Sequence, residues 1–88
     1  MIVKLSFDEV VASLKLEREF QDAKYGSIDN KQQSVAGYLL VLEAELNEAK
    51  TGWLKNVEGK HSSLAEIRQI AAVAIACLQQ HGFEGNPL

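Results

Sequence analysis

The segment "VLEAELNEAKTGW", residues 41–53, decides the fold class because its apolar side chains recur at helical spacing. Successive members of the series are four, three and four residues apart, which places them on one face of an α-helix. The series is Leu42, Leu46, Ala49 and Trp53. We therefore expect residues 41–53 to lie in a helix that buries this face against the rest of the protein.

Two glutamates lie along the margin of that face. Glu45 and Glu48 are three residues apart, so their side chains project to the same side of the helix, about 60° apart around its axis. Glu45 is also close in angle to Leu42 and Ala49, which predicts that it is half-buried. Two half-buried carboxylates with no lysine between them repel each other, so either one has a raised pKa or a cation lies between them.

A first helix precedes this segment. Ser6 and Glu9 form a capping box, and the helix that follows is predicted to run to about Tyr25 and to end at Gly26. Its apolar stripe turns polar in the second half of the helix. The stripe is Phe7, Val10, Val11 and Leu14, followed by Glu17, Gln21 and Tyr25.

Residues 41–53 belong to a second helix, which is predicted to start between Lys31 and Val35 and to end near Lys55. Its N-cap is Asp29, Asn30 or Ser34, and Asn30 with Gln33 fits a capping box best. A third helix is predicted to open with a capping box formed by Ser63 and Glu66, and to run to about His81 before Gly82.

The third helix contains "IAAVAIACL", residues 70–78, which is apolar on every side. One small core in a three-helix monomer cannot cover such a helix, so we expect homo-oligomerisation to bury its second face. A short fourth helix formed by the tail "FEGNPL" is the alternative explanation. The predicted fold is thus all-α: an antiparallel bundle of three main helices, completed by association of identical chains.

Bulk properties exclude several classes of protein. The 88 residues make one domain, residues 1–88, and the net charge of −3 argues against nucleic-acid binding. The longest apolar run has nine residues, too few to span a membrane, and the N-terminus is too short and too charged for a signal peptide. We therefore expect a soluble cytoplasmic protein. The lone Cys77 reads as a small buried residue, and His61 and His81 as solvated or capping side chains.

A second polar pair opens the third helix. Glu66 and Gln69 have the same three-residue spacing, and antiparallel packing of helices two and three would bring them close to Glu45 and Glu48. The polar half of the first helix would present Glu17, Gln21 and Lys24 to the same region. Such a cluster is suited to Mg²⁺ bound together with phosphate groups. Alternatively, the glutamates are ordinary helix-margin residues and Glu66 serves only the capping box.

Three segments in this order resemble the MazG-like family of the all-α NTP pyrophosphatase superfamily, especially its short phage and mobile-element versions. They are "EREFQDAKYG" (17–26), "SVAGYLLVLEAELNEA" (34–49) and "EIRQIAAVAIACLQQHG" (66–82). The resemblance implies a homodimer or homotetramer that hydrolyses nucleoside triphosphates to monophosphates and pyrophosphate. It also implies Mg²⁺, or Mn²⁺ in its place, held by an E-x-x-E and an E-x-x-D motif.

The resemblance assigns roles to individual residues. Glu45 and Glu48 match the E-x-x-E motif and Glu66 matches the start of E-x-x-D, which implies that all three are catalytic and bind the metal. Gln69 is the fourth metal position, where the family has aspartate. A glutamine offers one neutral oxygen, so the site has one negative charge less and attracts Mg²⁺ less strongly. The substrate-binding positions expected on the first helix are Glu17, Gln21 and Lys24.

The expected function is therefore a Mg²⁺-dependent nucleoside triphosphate pyrophosphohydrolase that acts on deoxy or non-standard nucleotides. Because of Gln69, two alternatives stay open. One is a nucleotide-binding module of the same fold that does not turn over its ligand, and the other is a purely structural homo-oligomeric helical module.

Overall fold

The structure, a computed structural model of the chain, describes residues 3–26 and 33–82. It contains three α-helices, α1 (Phe7–Tyr25), α2 (Val35–Leu54) and α3 (Ser63–His81), and a 3₁₀ turn (Gly59–His61) before α3. No β-strand occurs among the described residues. The predicted all-α class and the three main helices are confirmed. The tail proposed as a short fourth helix lies outside the described residues.

The start of α1 follows the predicted capping box. The Ser6 hydroxyl accepts a hydrogen bond from the Glu9 backbone N–H at 3.1 Å, and the Ser6 N–H donates to the Glu9 carboxylate at 2.9 Å. At the other end, Gly26 has φ of 93°, a value that favours glycine, and its N–H donates to the Asp22 carbonyl. Both predicted ends of the first helix are confirmed.

The second helix starts later than the favoured capping box suggested. Ser34 is its N-cap, and the Ser34 hydroxyl accepts a hydrogen bond from the Gly37 N–H at 3.0 Å. The choice of Asn30 with Gln33 is therefore wrong, and Ser34, the third candidate for the N-cap, is confirmed. Asn30 itself lies outside the described residues.

The third helix is capped one serine earlier than predicted. Ser62 has extended backbone angles (φ −65°, ψ 158°), and its hydroxyl accepts from the Ala65 N–H at 3.2 Å. Ser63 is already the first helical residue. The capping box of Ser63 and Glu66 is therefore wrong, and the local explanation for Glu66 is removed, because the capping position three residues after the N-cap belongs to Ala65.

The helices α2 and α3 form an antiparallel pair. At one end, Gly52 of α2 lies against the backbone of His61 and Ser63, and at the other, His81 Nε2 lies 2.8 Å from the Gln33 carbonyl oxygen. The predicted antiparallel packing of the second and third helices is confirmed. Helix α1 packs on α3 alone, since no Cα atom of α1 comes within 8 Å of one in α2. Helix α3 is thus the central element.

The buried apolar core is small. Among the residues that the structure describes, it consists of Tyr38, Ala49, Ala72 and Ala76. The prediction that residues 42–53 bury a whole face is only partly right: Ala49 is buried and Leu42 half-buried, but Leu46 and Trp53 are 50% and 76% exposed. The predicted stripe of α1 is also partly wrong, because Phe7 is 80% exposed. Both faces reach past the edge of α3, and no other described helix covers them.

The chain exposes more surface than a globular monomer of its size. Its accessible surface is 7101 Å² for a mass of 9.7 kDa, whereas the scaling for monomeric proteins gives about 5100 Å². Many large apolar side chains among the described residues are exposed, including leucine, isoleucine, valine, phenylalanine and tryptophan. Among residues 3–26 and 33–82, no helix is both long enough and apolar enough to cross a membrane.

Candidate functional site: a carboxylate cluster across three helices

Glu45 lies at the centre of a group of glutamates that come from all three helices. It sits in the middle of α2 and is half-buried, as predicted. Burial, and then the negative charges of Glu66, Glu48 and Glu17, raise the pKa of Glu45 to about 7. The predicted raised pKa in the first glutamate pair is confirmed, and the cause includes charges from α1 and α3. We call Glu17, Glu45, Glu48 and Glu66 the carboxylate cluster.

Glu66 is the most deeply buried member of the cluster, with 3% of its surface exposed. Its Oε1 atom lies 3.5 Å from His61 Nδ1, and its Oε2 atom is buried without any hydrogen-bond partner. A buried carboxylate oxygen without a partner costs free energy, about 1–3 kcal/mol or more for a charged group. Glu66 lies in the first turn of α3, where the helix dipole favours a negative charge and offsets part of this cost, but its Oε2 atom caps no backbone N–H group.

A short turn holds His61 beside Glu66. Gly59 opens the turn with φ of 74°, a conformation that favours glycine, and its carbonyl accepts from the Ser62 N–H at 3.0 Å. On the other side, Gly52 of α2 packs against the turn so closely that an added Cβ would lie 3.0 Å from the His61 carbonyl oxygen. The His61 backbone is therefore fixed on both sides, while its side chain remains 70% exposed.

Glu17 brings a basic partner into the cluster. It is buried on α1, and its Oε1 atom lies 3.3 Å from Nη2 of Arg68 on α3. The Arg68 guanidinium group balances the charge of Glu17. Because Arg68 is about half exposed, one side of this group remains open to solvent. The cluster thus combines four carboxylates with one guanidinium group, which is a suitable environment for an anionic group bridged by a cation.

The remaining predicted site residues are placed less centrally. Glu48 is exposed rather than half-buried as predicted, although its charge still raises the pKa of Glu45. Gln69 is half-buried on α3.

The predicted substrate-binding residues Gln21 and Lys24 contact other side chains of α1. Gln21 accepts a hydrogen bond from Arg18 at 3.2 Å, and the Lys24 ammonium lies over the Phe20 and Tyr25 rings, 5.9 Å and 5.1 Å from their centroids. No described contact joins Gln21 or Lys24 to the cluster.

The cluster contains suitable donors for a divalent cation but does not form a closed site. Within residues 3–26 and 33–82, no three acidic, histidine or cysteine side chains are close enough together to hold a metal ion as they stand. The donor chemistry fits nonetheless, because Mg²⁺ and Mn²⁺ prefer carboxylate oxygens and the buried Glu66 Oε2 is free to accept. Side-chain rotation of Glu45 and Glu48 has to complete such a site.

The sequence does not indicate two contacts of this region. His61 is predicted to be a solvated loop histidine, which its 70% exposed side chain confirms, but its position beside Glu66 is not predicted, and Arg68 has no predicted role. The five-residue distance from His61 to Glu66 was the one available signal for the histidine. The pairing of Arg68 with Glu17 joins residues far apart in the chain, and nothing in the local sequence indicates it.

Comparison of the chain with protein-family models, with curated proteins and with solved structures gave no match. The resemblance to the MazG-like family therefore stays a prediction.

Proposed function

We propose that the protein binds a nucleoside triphosphate through a divalent cation at the carboxylate cluster and hydrolyses it to a monophosphate and pyrophosphate. The observation that carries the proposal is that glutamates from three helices are close enough for their charges to act on Glu45, and that one of them, Glu66, has a buried Oε2 atom without a partner. A group of buried like charges of this kind is destabilising for the fold, and perturbed acidic groups of this kind concentrate at functional sites.

The expected cation is Mg²⁺ or Mn²⁺, held by Glu45, Glu48 and Glu66, with Gln69 as the weaker fourth ligand. When bound, such an ion would polarise the phosphate oxygens and neutralise their charge. The residues of the chain would orient the triphosphate and the attacking water. A carboxylate oxygen of the cluster takes the proton from the water, which attacks the α-phosphorus. The bond from that phosphorus to the bridging oxygen breaks, and pyrophosphate leaves.

The cation nearest to the cluster in the structure is Arg68, not Lys24. Its guanidinium group is half exposed and adjacent to Glu17, so it is well placed to contact the phosphates. Lys24 and Gln21 retain their substrate-binding roles as predictions only, and each would have to leave its present contacts.

The test is a panel of ribo- and deoxynucleoside triphosphates, incubated with Mg²⁺ or Mn²⁺ and analysed for monophosphate and pyrophosphate. We expect release from at least one nucleotide, loss of release in Glu45→Gln, and normal release in Glu43→Gln. Glu43 is a matched control because it is an exposed glutamate on the same helix, two residues away. If no nucleotide yields product and none raises the melting temperature, the nucleotide proposal is wrong.

Self-association is the second part of the proposal, and it stands even if the protein does not turn over nucleotides. Leu39, Leu46 and Trp53 recur every seven residues on α2, so they lie along one line of the helix, and all three are at least half exposed. Leu46 and Trp53 border a groove of about 370 Å³ whose opposite wall is Ile67 of α3. We call this surface the α2–α3 apolar face.

We propose that a second copy of the chain covers the α2–α3 apolar face. A stable dimer buries about 800 Å² on each partner, and the chain exposes about 2000 Å² more than a monomer of its mass. We expect Leu46→Lys to give a lower mass in sedimentation equilibrium than the wild type, and Leu16→Lys on α1 to leave the mass unchanged. A wild-type chain that is monomeric at micromolar concentration would contradict this assignment.

A further inference from the structure

Beside the carboxylate cluster, one imidazole has a position that the proposed function does not use. His61 Nδ1 lies 3.5 Å from Glu66 Oε1, and the other oxygen of the same carboxylate has no partner. The His61 ring is the only group in hydrogen-bond or ion-pair range of the Glu66 carboxylate that the described residues show. A buried carboxylate that faces a histidine and retains a free oxygen is a two-donor set for a metal ion.

The spacing of these atoms agrees with such a role. Two ligand atoms about 2.1 Å from the same ion are about 3.0 Å apart at a right angle and about 3.4 Å apart at a tetrahedral angle. The observed separation of 3.5 Å is close to this range. No movement of the backbone is needed to bring both donors to one ion.

The fold holds this histidine in place. The 3₁₀ turn is fixed by Gly59 at its start and by the Ser62 N-cap at its end, and Gly52 of α2 packs against the His61 carbonyl oxygen. The backbone is therefore constrained, while the ring has freedom to rotate in solvent. This combination allows a ligand to be added without a cost in core packing.

We propose that His61 and Glu66 together bind the cation of the carboxylate cluster, so that the site prefers a divalent transition metal such as Mn²⁺, Co²⁺ or Zn²⁺ to Mg²⁺. This inference rests on the proposed metal site. Imidazole nitrogen is a poor ligand for Mg²⁺, which takes oxygen donors and retains its waters, but a good ligand for transition metals. The neutral glutamine at position 69 points the same way, since a site with one negative charge less attracts a hard cation such as Mg²⁺ less strongly.

The test compares metal affinities by calorimetry, without nucleotide. Co²⁺ and Mg²⁺ are titrated into the wild type, His61→Ala and His81→Ala. The chain has two histidines, and His81 lies at the far end of α3, about 27 Å from its start, which makes it the matched control. We expect His61→Ala to weaken Co²⁺ binding at least tenfold and Mg²⁺ binding less than twofold, while His81→Ala leaves both unchanged. The visible absorption of bound Co²⁺ should also change in His61→Ala alone.

Equal Co²⁺ affinity in the wild type and His61→Ala would overturn the inference, as would an equal loss of Co²⁺ and Mg²⁺ affinity. Either result leaves the carboxylate site of the proposed function intact, provided that Glu66→Gln still abolishes binding. If the wild type binds neither ion, both proposals fail. Because the His61 side chain is largely exposed, its removal should not unfold the protein, and circular dichroism of each variant checks this.

Discussion

Replacement of Glu45 by glutamine should stabilise the metal-free protein at alkaline pH. The folded state raises the pKa of Glu45 from 4.5 to about 7, so it holds that proton more tightly than the unfolded chain does. Between these two values the folded state therefore binds more protons, and the free energy of unfolding falls as the pH rises. Above the folded pKa of Glu45, the folded state bears the full free-energy cost of the ionised carboxylate. A neutral glutamine removes this cost.

The magnitude follows from the size of the shift. A rise from 4.5 to about 7 corresponds to at most about 3.4 kcal/mol. Water reaches the half-buried carboxylate, which reduces the value to about 2 kcal/mol. For a domain of this length, that change in stability corresponds to a rise in melting temperature of about 8–16 °C. Near the unfolded pKa of about 4.5 the two proteins should differ little, since Glu45 is then protonated in the folded state.

Thermal unfolding followed by circular dichroism, at one protein concentration and with EDTA present, measures this difference at about pH 4.5 and about pH 8. Glu43→Gln is the control, because Glu43 is exposed and its removal should not change the pH dependence. The reasoning is refuted if Glu45→Gln has the same melting temperature as the wild type at about pH 8. It is also refuted if the control shows the same gain.

Two further pairs of substitutions test the local structure, each by urea unfolding. Ser62→Ala should lower the free energy of unfolding by about 1 kcal/mol because it removes the N-cap of α3, and Ser63→Ala should lower it by less than half as much. The reverse order would support the predicted capping box of Ser63 and Glu66. Gly52→Ala should destabilise by about 1 kcal/mol, since its Cβ meets backbone at 3.0 Å. Gly37→Ala, whose Cβ meets only the side chains of Gln33 and Ser34, should be neutral or gain up to about 1 kcal/mol, and equal effects of the two substitutions would contradict the close packing at Gly52.

Local signals in the sequence were sufficient for the helices themselves. The Ser6 capping box and Gly26 placed both ends of α1, because their hydrogen bonds involve only neighbouring residues. They were not sufficient where several caps compete. Ser62 and Ser63 are both good N-caps, and the choice depends on the 3₁₀ turn that precedes them, which gives Ser62 its extended backbone. A shift of one residue then decided whether Glu66 caps the helix or points inward.

The candidate site was predicted in part for a similar reason. Helical spacing placed Glu45 at the edge of a buried face beside Glu48, which predicted its half-burial and the direction of its pKa shift, while the charges of Glu66 and Glu17 that add to the shift come from other helices. Spacing along one helix does not report what the opposite helix presents. Three features depend on how α3 packs on α1 and α2, and no local pattern contains this information. They are the burial of Glu66, the exposure of Glu48 and the pairing of Arg68 with Glu17.

The extent of burial was overestimated from the sequence for a related physical reason. Periodicity predicts which side of a helix is apolar, but not whether the same chain supplies a partner for it. Leu46 and Trp53 follow the predicted stripe, yet both remain largely exposed because α1 packs on α3 and leaves α2 uncovered on that side. A second copy of the chain is the partner that we propose for this surface.

The central claim is that glutamates from separate helices form one site for a divalent cation, and calorimetric titration of Mn²⁺ tests it most directly. We predict one bound ion per chain for the wild type and for Glu43→Gln, with at least tenfold weaker binding for Glu66→Gln, which removes the buried charge and its unpartnered oxygen. Identical titrations for all three proteins, or no binding to the wild type, would contradict the account.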